Sequence, residues 1–96
     1  MAVYLVTWDL NREKPNYGAA RAAFVAHLER FQNIKDPGLD SVRFVSTGWS
    51  ADQVSADLMM KLDSNDRLVV TKLEPSTHQG CLLETVWDWI NARINL

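Results

Sequence analysis

Val3-Tyr4-Leu5-Val6-Thr7-Trp8-Asp9-Leu10 is the stretch that decides how this chain folds. Successive side chains of a strand point to opposite faces of its sheet. Here both alternating sets, Val3/Leu5/Thr7 and Tyr4/Val6/Trp8, are largely apolar. That pattern predicts a central strand covered on both faces. The run closes on an acid, Asp9. A carboxylate at the tip of an apolar strand has two ordinary uses. It forms a turn by accepting from loop amides, that of Asn11 included, or it is a ligand for a hard cation, which takes oxygen donors. The residues alone leave both open.

Working outward, Asn11 to Asn16 reads as a polar loop, with Pro15 ending any strand. Tyr17, Ala20, Phe24, Leu28 and Phe31 recur at three- and four-residue steps, which predicts a helix from Tyr17 to Phe31 with Asn16 as N-cap. Pro37-Gly38 marks a bend, with room for a short strand before it. Asp40 to Thr47 alternates as a strand, and Gly48 ends it. Ser50-Ala51-Asp52-Gln53 has the form of a capping box, opening a helix that buries Val54, Leu58 and Leu62. Asp63-Ser64-Asn65-Asp66 is a polar turn, Arg67 to Leu73 a strand, Glu74 to Gly80 a loop, and Cys81 to Ile94 an amphipathic helix.

The order is strand, helix, one or two strands, helix, strand, helix. It predicts an α+β fold of one domain over residues 1–96. Its simplest form is a ferredoxin-like βαββαβ two-layer sandwich with an added C-terminal helix. That last helix would cover a sheet edge or mediate assembly.

Composition narrows the function classes. Hydrophobic residues are 47% and charged residues 23%, ordinary for a globular chain. No apolar run approaches the ~20 residues that cross a bilayer, so no membrane partner is expected. With one cysteine, Cys81, no intrachain disulfide and no cysteine-based zinc site can form. No secretion signal is visible, and the sequence reads as cytoplasmic. The net charge is −2. A general nucleic-acid binder carries a basic balance, because phosphate contacts supply most of its affinity. Nucleic acid is therefore a partner that the charge does not support. No glycine-rich phosphate loop, dinucleotide fingerprint or Ser-His-Asp pattern occurs.

Other chemistry-bearing residues have plainer readings. Asp63 and Asp66 flank Ser64-Asn65, a turn more readily than a metal site, with Asn65 suited to a left-handed backbone. His27 falls beside the apolar stripe of the first helix. His78 and Cys81 are three apart, but a nucleophile pair needs an oriented base, and Cys81 reads as a small buried cysteine. Four tryptophans are many for 96 residues. Trp87 and Trp89 point in different directions on a helix, so one is expected at a strand edge, a partner subunit or solvent.

Several stretches resemble a known family. Tyr4 through Asn11, Trp49 through Leu58, Leu62-Asp63-Ser64-Asn65-Asp66-Arg67-Leu68-Val69-Val70 and Trp87-Asp88-Trp89-Ile90 resemble the small bacterial SinR-like proteins, with the Asp63–Asp66 junction the most specific. That family is similar in fold to the CRISPR-associated protein two family and, more distantly, to virulence-associated protein D. The resemblance implies a ferredoxin-like fold and a homodimer. In the CRISPR relatives an aspartate closing the first strand is assigned to divalent-metal binding for nuclease activity, together with its copy in the partner subunit. Asp9 is the position that matches, which makes it the candidate catalytic and metal residue, with Mg²⁺ or Mn²⁺ as the ion. No other cofactor is implied. Three readings follow: a homodimeric binding or assembly module without catalysis, a metal-dependent nuclease of DNA or RNA with two copies of Asp9 at the dimer axis, and a toxin–antitoxin or phage-defence component acting by protein contacts.

Overall fold

The computed structural model describes residues 1–94. The elements are β1 (Ala2–Asp9), α1 (Tyr17–Leu28), β2 (Gln32–Ile34), β3 (Val42–Thr47), α2 (Ala51–Met59), β4 (Arg67–Lys72) and α3 (Glu84–Ile94). The four strands form one sheet in the order β2-β3-β1-β4, and every pairing is antiparallel. The protein is thus α+β, with a four-stranded antiparallel sheet and three helices. Among the described residues no helix is long and apolar enough to cross a membrane.

β1 is central, as its two apolar faces require. Tyr4, Val6, Trp8 and Val45 lie in one core cluster with Phe24 and Leu28 of α1 and Val54 and Leu58 of α2. Val3 and Phe44 lie in a second cluster with Leu73 and with Val86 and Ile90 of α3. Full burial of aliphatic and aromatic side chains contributes roughly 1.5–3 kcal/mol each. Phe24, Leu28, Val54, Leu58 and Ile90 are all completely shielded from solvent.

The place of α3 corrects the two-layer expectation. It covers the sheet face opposite α1 and α2, so helices flank the sheet on both sides. The cause lies in β1. Val3 and Leu5 are apolar on the face that α1 and α2 do not reach, and without α3 they would face water. Trp87 and Trp89 do not share the core stripe, as their spacing on the helix requires. Val86 and Ile90 form the buried stripe of α3, and both tryptophans flank it, partly buried against the same cluster. Trp87 lies against the His78 ring, with centroids 6.0 Å apart, and Arg93 sits 4.3 Å over the Trp89 ring.

Element ends show local chemistry. Ser50 and Gln53 make the reciprocal capping box, at 3.2 Å and 2.9 Å. Asn16 makes no side-chain cap; its carbonyl accepts from Ala20 N–H instead. α1 stops at Leu28, three residues before Phe31, because the chain tightens there. Phe31 N–H donates to Leu28 C=O at 3.1 Å, and the Phe31 ring then meets Trp49 edge-on, 5.2 Å between centroids. α3 starts at Glu84 rather than Cys81. Its entry is pinned by the buried Asp36, whose Oδ2 accepts from Leu83 N–H at 2.9 Å while Oδ1 accepts from Gly38 N–H at 2.8 Å.

Candidate functional site: a polar cleft at the end of the central strand

Asp9 closes β1 and is exposed. It pairs across the sheet with Arg67, the first residue of β4. Directly opposed residues share a face, so an acid and a base sit side by side at this corner. A cleft of about 590 Å³ opens over them, lined by Asp9, Asn11, Arg12, Glu13, Asn65 and Arg67.

The turn-forming reading of Asp9 is overturned. Asn11 N–H donates to Asp66 Oδ1 at 2.8 Å, and the Asx-type turn is made by Asn11 itself, whose Oδ1 accepts from Glu13 N–H at 2.9 Å. Among the described residues the Asp9 carboxylate takes no hydrogen bond or ion pair.

The carboxylate that builds the site is Asp66. Its side chain is fully covered, 0% exposed. It accepts from Asn11 N–H, from Asp63 N–H at 3.0 Å and from Lys14 Nζ at 2.9 Å. Lys14 also reaches Asp63 at 2.9 Å. This clamp ties the loop after β1 to the turn before β4, the two segments that carry Asn11, Arg12, Glu13 and Asn65 of the cleft. Burial disfavours the Asp66 charge, but the amides of Asp63 and Asn11 and the Lys14 ammonium outweigh it and hold its pKa below the ordinary value. Asp63 is lowered chiefly by its hydrogen bond from Lys14, then by the Asn65 N–H. Lys14 is raised by its bonds to Asp66 and Asp63. The turn reading of Asp63 and Asp66 thus holds, with one change. Asn65 is not left-handed; among the described residues the one non-glycine residue with positive φ is Ser76. Asn65 instead donates its N–H to Asp63 Oδ1 at 2.9 Å.

The charges of the cleft are unequal in availability. Lys14 is spent on the clamp. The Arg67 guanidinium donates to the carbonyls of Ser64 at 3.2 Å and Asp66 at 3.0 Å. Arg12 lies 5.9 Å from the Tyr17 ring centroid. Sequence reasoning missed Arg67 and Asn65 as neighbours of Asp9. The signal was there: a sheet that pairs β1 with β4 in antiparallel register must bring the end of one to the start of the other.

For a hard cation, one copy of the chain offers Asp9, with Glu13 in the same cleft and two guanidiniums beside them. Among the described residues no group of three or more His, Cys, Asp and Glu side chains is placed to hold a metal ion. Mg²⁺ commonly uses one or two carboxylates and completes its shell with water and phosphate. Asp9, with Glu13 in the same cleft, fits that role, and Arg67 competes for it.

The remaining candidates lie elsewhere. His27, half-buried as expected, ties α1 to α2 through Asp57, with Nε2 3.1 Å from its carboxylate. His78 Nδ1 is 2.8 Å from Glu74 O. Cys81 is exposed, not buried as expected, because it lies in the loop before α3 begins. Among the described residues no contact pairs Cys81 with His78.

Fold and site together define a small α+β domain with a mixed-charge cleft at one end of its sheet. Comparison of the chain with protein-family models, with curated proteins and with solved structures found no significant match.

Proposed function

We propose that the chain is a cytoplasmic homodimeric binding or assembly module of the SinR-like, CRISPR-associated-two-like kind, and that the Asp9 cleft is its contact surface. The βαββαβ element order and the antiparallel strand order β2-β3-β1-β4 support the ferredoxin-like part of this reading. One observation carries the functional part. At the exposed end of a rigid central strand stands an uncommitted carboxylate, Asp9, directly opposite Arg67 and in one cleft with Arg12. A free acid among arginines is suited to reciprocal ion pairs with another surface. Held on a strand, it presents them with little loss of side-chain freedom.

The nuclease reading is kept as the second, because the same free carboxylate is what a shared metal would need. It requires two copies of Asp9 within roughly the ~4 Å scale of paired-metal chemistry.

The dimer is tested by light scattering of the eluting protein across a concentration series. The expected mass is twice the 10.9 kDa of the chain. A mass of one chain at every concentration overturns the homodimer.

A further inference from the structure

A second cleft, which shares no lining residue with that of Asp9, lies under the segment that leads into α3. Its volume is about 260 Å³, and Leu5, Phe44, Leu73, Leu82, Trp87 and His78 line it. The walls are thus Leu5, Leu39 and Leu73 from sheet and loop, Leu82 from the entry to α3, and the Phe44 and Trp87 rings. An apolar cavity of about 150 Å³ is enough to hold benzene. Ligand sites in general are concave and apolar with a few placed polar groups, and here His78 supplies one.

The chemistry of His78 is set by its neighbours. Nδ1 lies 2.8 Å from the Glu74 carbonyl oxygen. A carbonyl oxygen only accepts, so Nδ1 carries the proton, and Nε2 of the neutral ring is an acceptor. Among the described residues nothing hydrogen-bonds Nε2. The imidazole plane lies 24° from that of Trp87, with centroids 6.0 Å apart, which holds the ring in place. The cleft is also preformed. Asp36 fastens Leu83 N–H at 2.9 Å and so fixes the segment that roofs it.

We propose that this cleft binds a small phenol-type ligand, an aromatic ring bearing one hydrogen-bond donor. The ring packs between Phe44, Trp87 and the leucines, where offset or edge-on aromatic contacts are favoured. The donor is received by His78 Nε2. Ligands that carry only acceptors leave Nε2 unpaired. The inference stands apart from the Asp9 cleft and does not depend on it.

Phenol and toluene are the probes, because they match in shape and differ by a hydroxyl in place of a methyl. Each is titrated into the ¹⁵N-labelled full chain and followed by amide and indole N–H shifts. Phenol is expected to saturate, with shifts centred on Gly80, Leu82 and the Trp87 indole N–H. Toluene is expected to bind about fivefold more weakly, the worth of one hydrogen bond. His78→Phe should abolish that difference while the rest of the spectrum stays folded. Leu82→Trp, which narrows the cleft without touching His78, should weaken both probes together. Phenol shifts that do not saturate or that centre elsewhere overturn the proposal. So does toluene binding as tightly as phenol, or a phenol preference that survives His78→Phe.

Discussion

Replacing Asp66 with alanine is expected to destabilise the fold by about 3 kcal/mol, more than its place in a polar turn would lead one to expect. The side chain is fully covered and receives the amides of Asn11 and Asp63 and the Lys14 ammonium. Its removal leaves those donors without their acceptor. The acid dependence follows from the same bonds. The folded-state pKa values of Asp66 and Asp63 lie below their ordinary 3.8. Their contribution is therefore fully present above that value and is lost as pH falls through the folded-state values. Lys14 works in the opposite direction. Its pKa is raised above 10.5, so its contribution is present below that value and is lost as pH rises through the folded value. Urea denaturation at a series of pH values checks this. Asp66→Ala should flatten the acid limb of the stability profile. A variant as stable as the parent and with the same acid limb would show that the clamp contributes nothing.

The second large effect is expected at Ile90. This side chain is completely shielded from solvent and packs with Val3, Phe44, Leu73 and Val86 between α3 and the sheet. Ile90→Ala is expected to cost about 2–5 kcal/mol, the range for large-to-small changes in a core. Leu83→Ala provides the contrast. Leu83 is 52% exposed at the entry to the same helix, and surface changes of this kind usually stay within about 0.5 kcal/mol. Equal effects at the two positions would mean that α3 does not pack on the sheet as described.

Much of the fold was legible because it is written in short-range pattern. The double apolar alternation of β1 placed it centrally with cover on both faces. Ser50 and Gln53 marked the start of α2 through the one motif that satisfies two amides at once. What was not legible depends on distant partners. An amphipathic helix carries no mark of which sheet face it will meet, so α3 read as an addition that covers an edge or mediates assembly. The demand for it was nevertheless present in Val3 and Leu5. Helix ends were overextended at Phe31 and Cys81, since apolar residues just outside a helix keep its spacing without its backbone. In the site, Asp9 was visible as an odd acid, but its freedom was not. That depended on Asn11 giving its N–H to Asp66, across 55 residues of sequence. The pairing of β1 with β4 brings the start of β4 to Asp9, but that Arg67 stands directly opposite is a matter of register, which spacing within either strand does not encode.

The architecture bears on how the site can be used. α3 occupies the middle of one sheet face and α1 with α2 the other. The exposed corner where β1 ends and β4 begins remains, and it holds Asp9 and Arg67. A contact made there would engage both charges at once. Two copies related by a two-fold axis would each offer the same acid–base pair, so that Asp9 of each faces an arginine of the other. The nuclease alternative needs the opposite arrangement, with acid facing acid across a cation.

Calorimetric titration of Mn²⁺ into the protein, run beside Asp9→Ala, separates these two arrangements most directly. A binding module predicts no heat that depends on Asp9. Uptake of one ion per two chains, abolished in Asp9→Ala, would contradict it and establish a shared metal in its place.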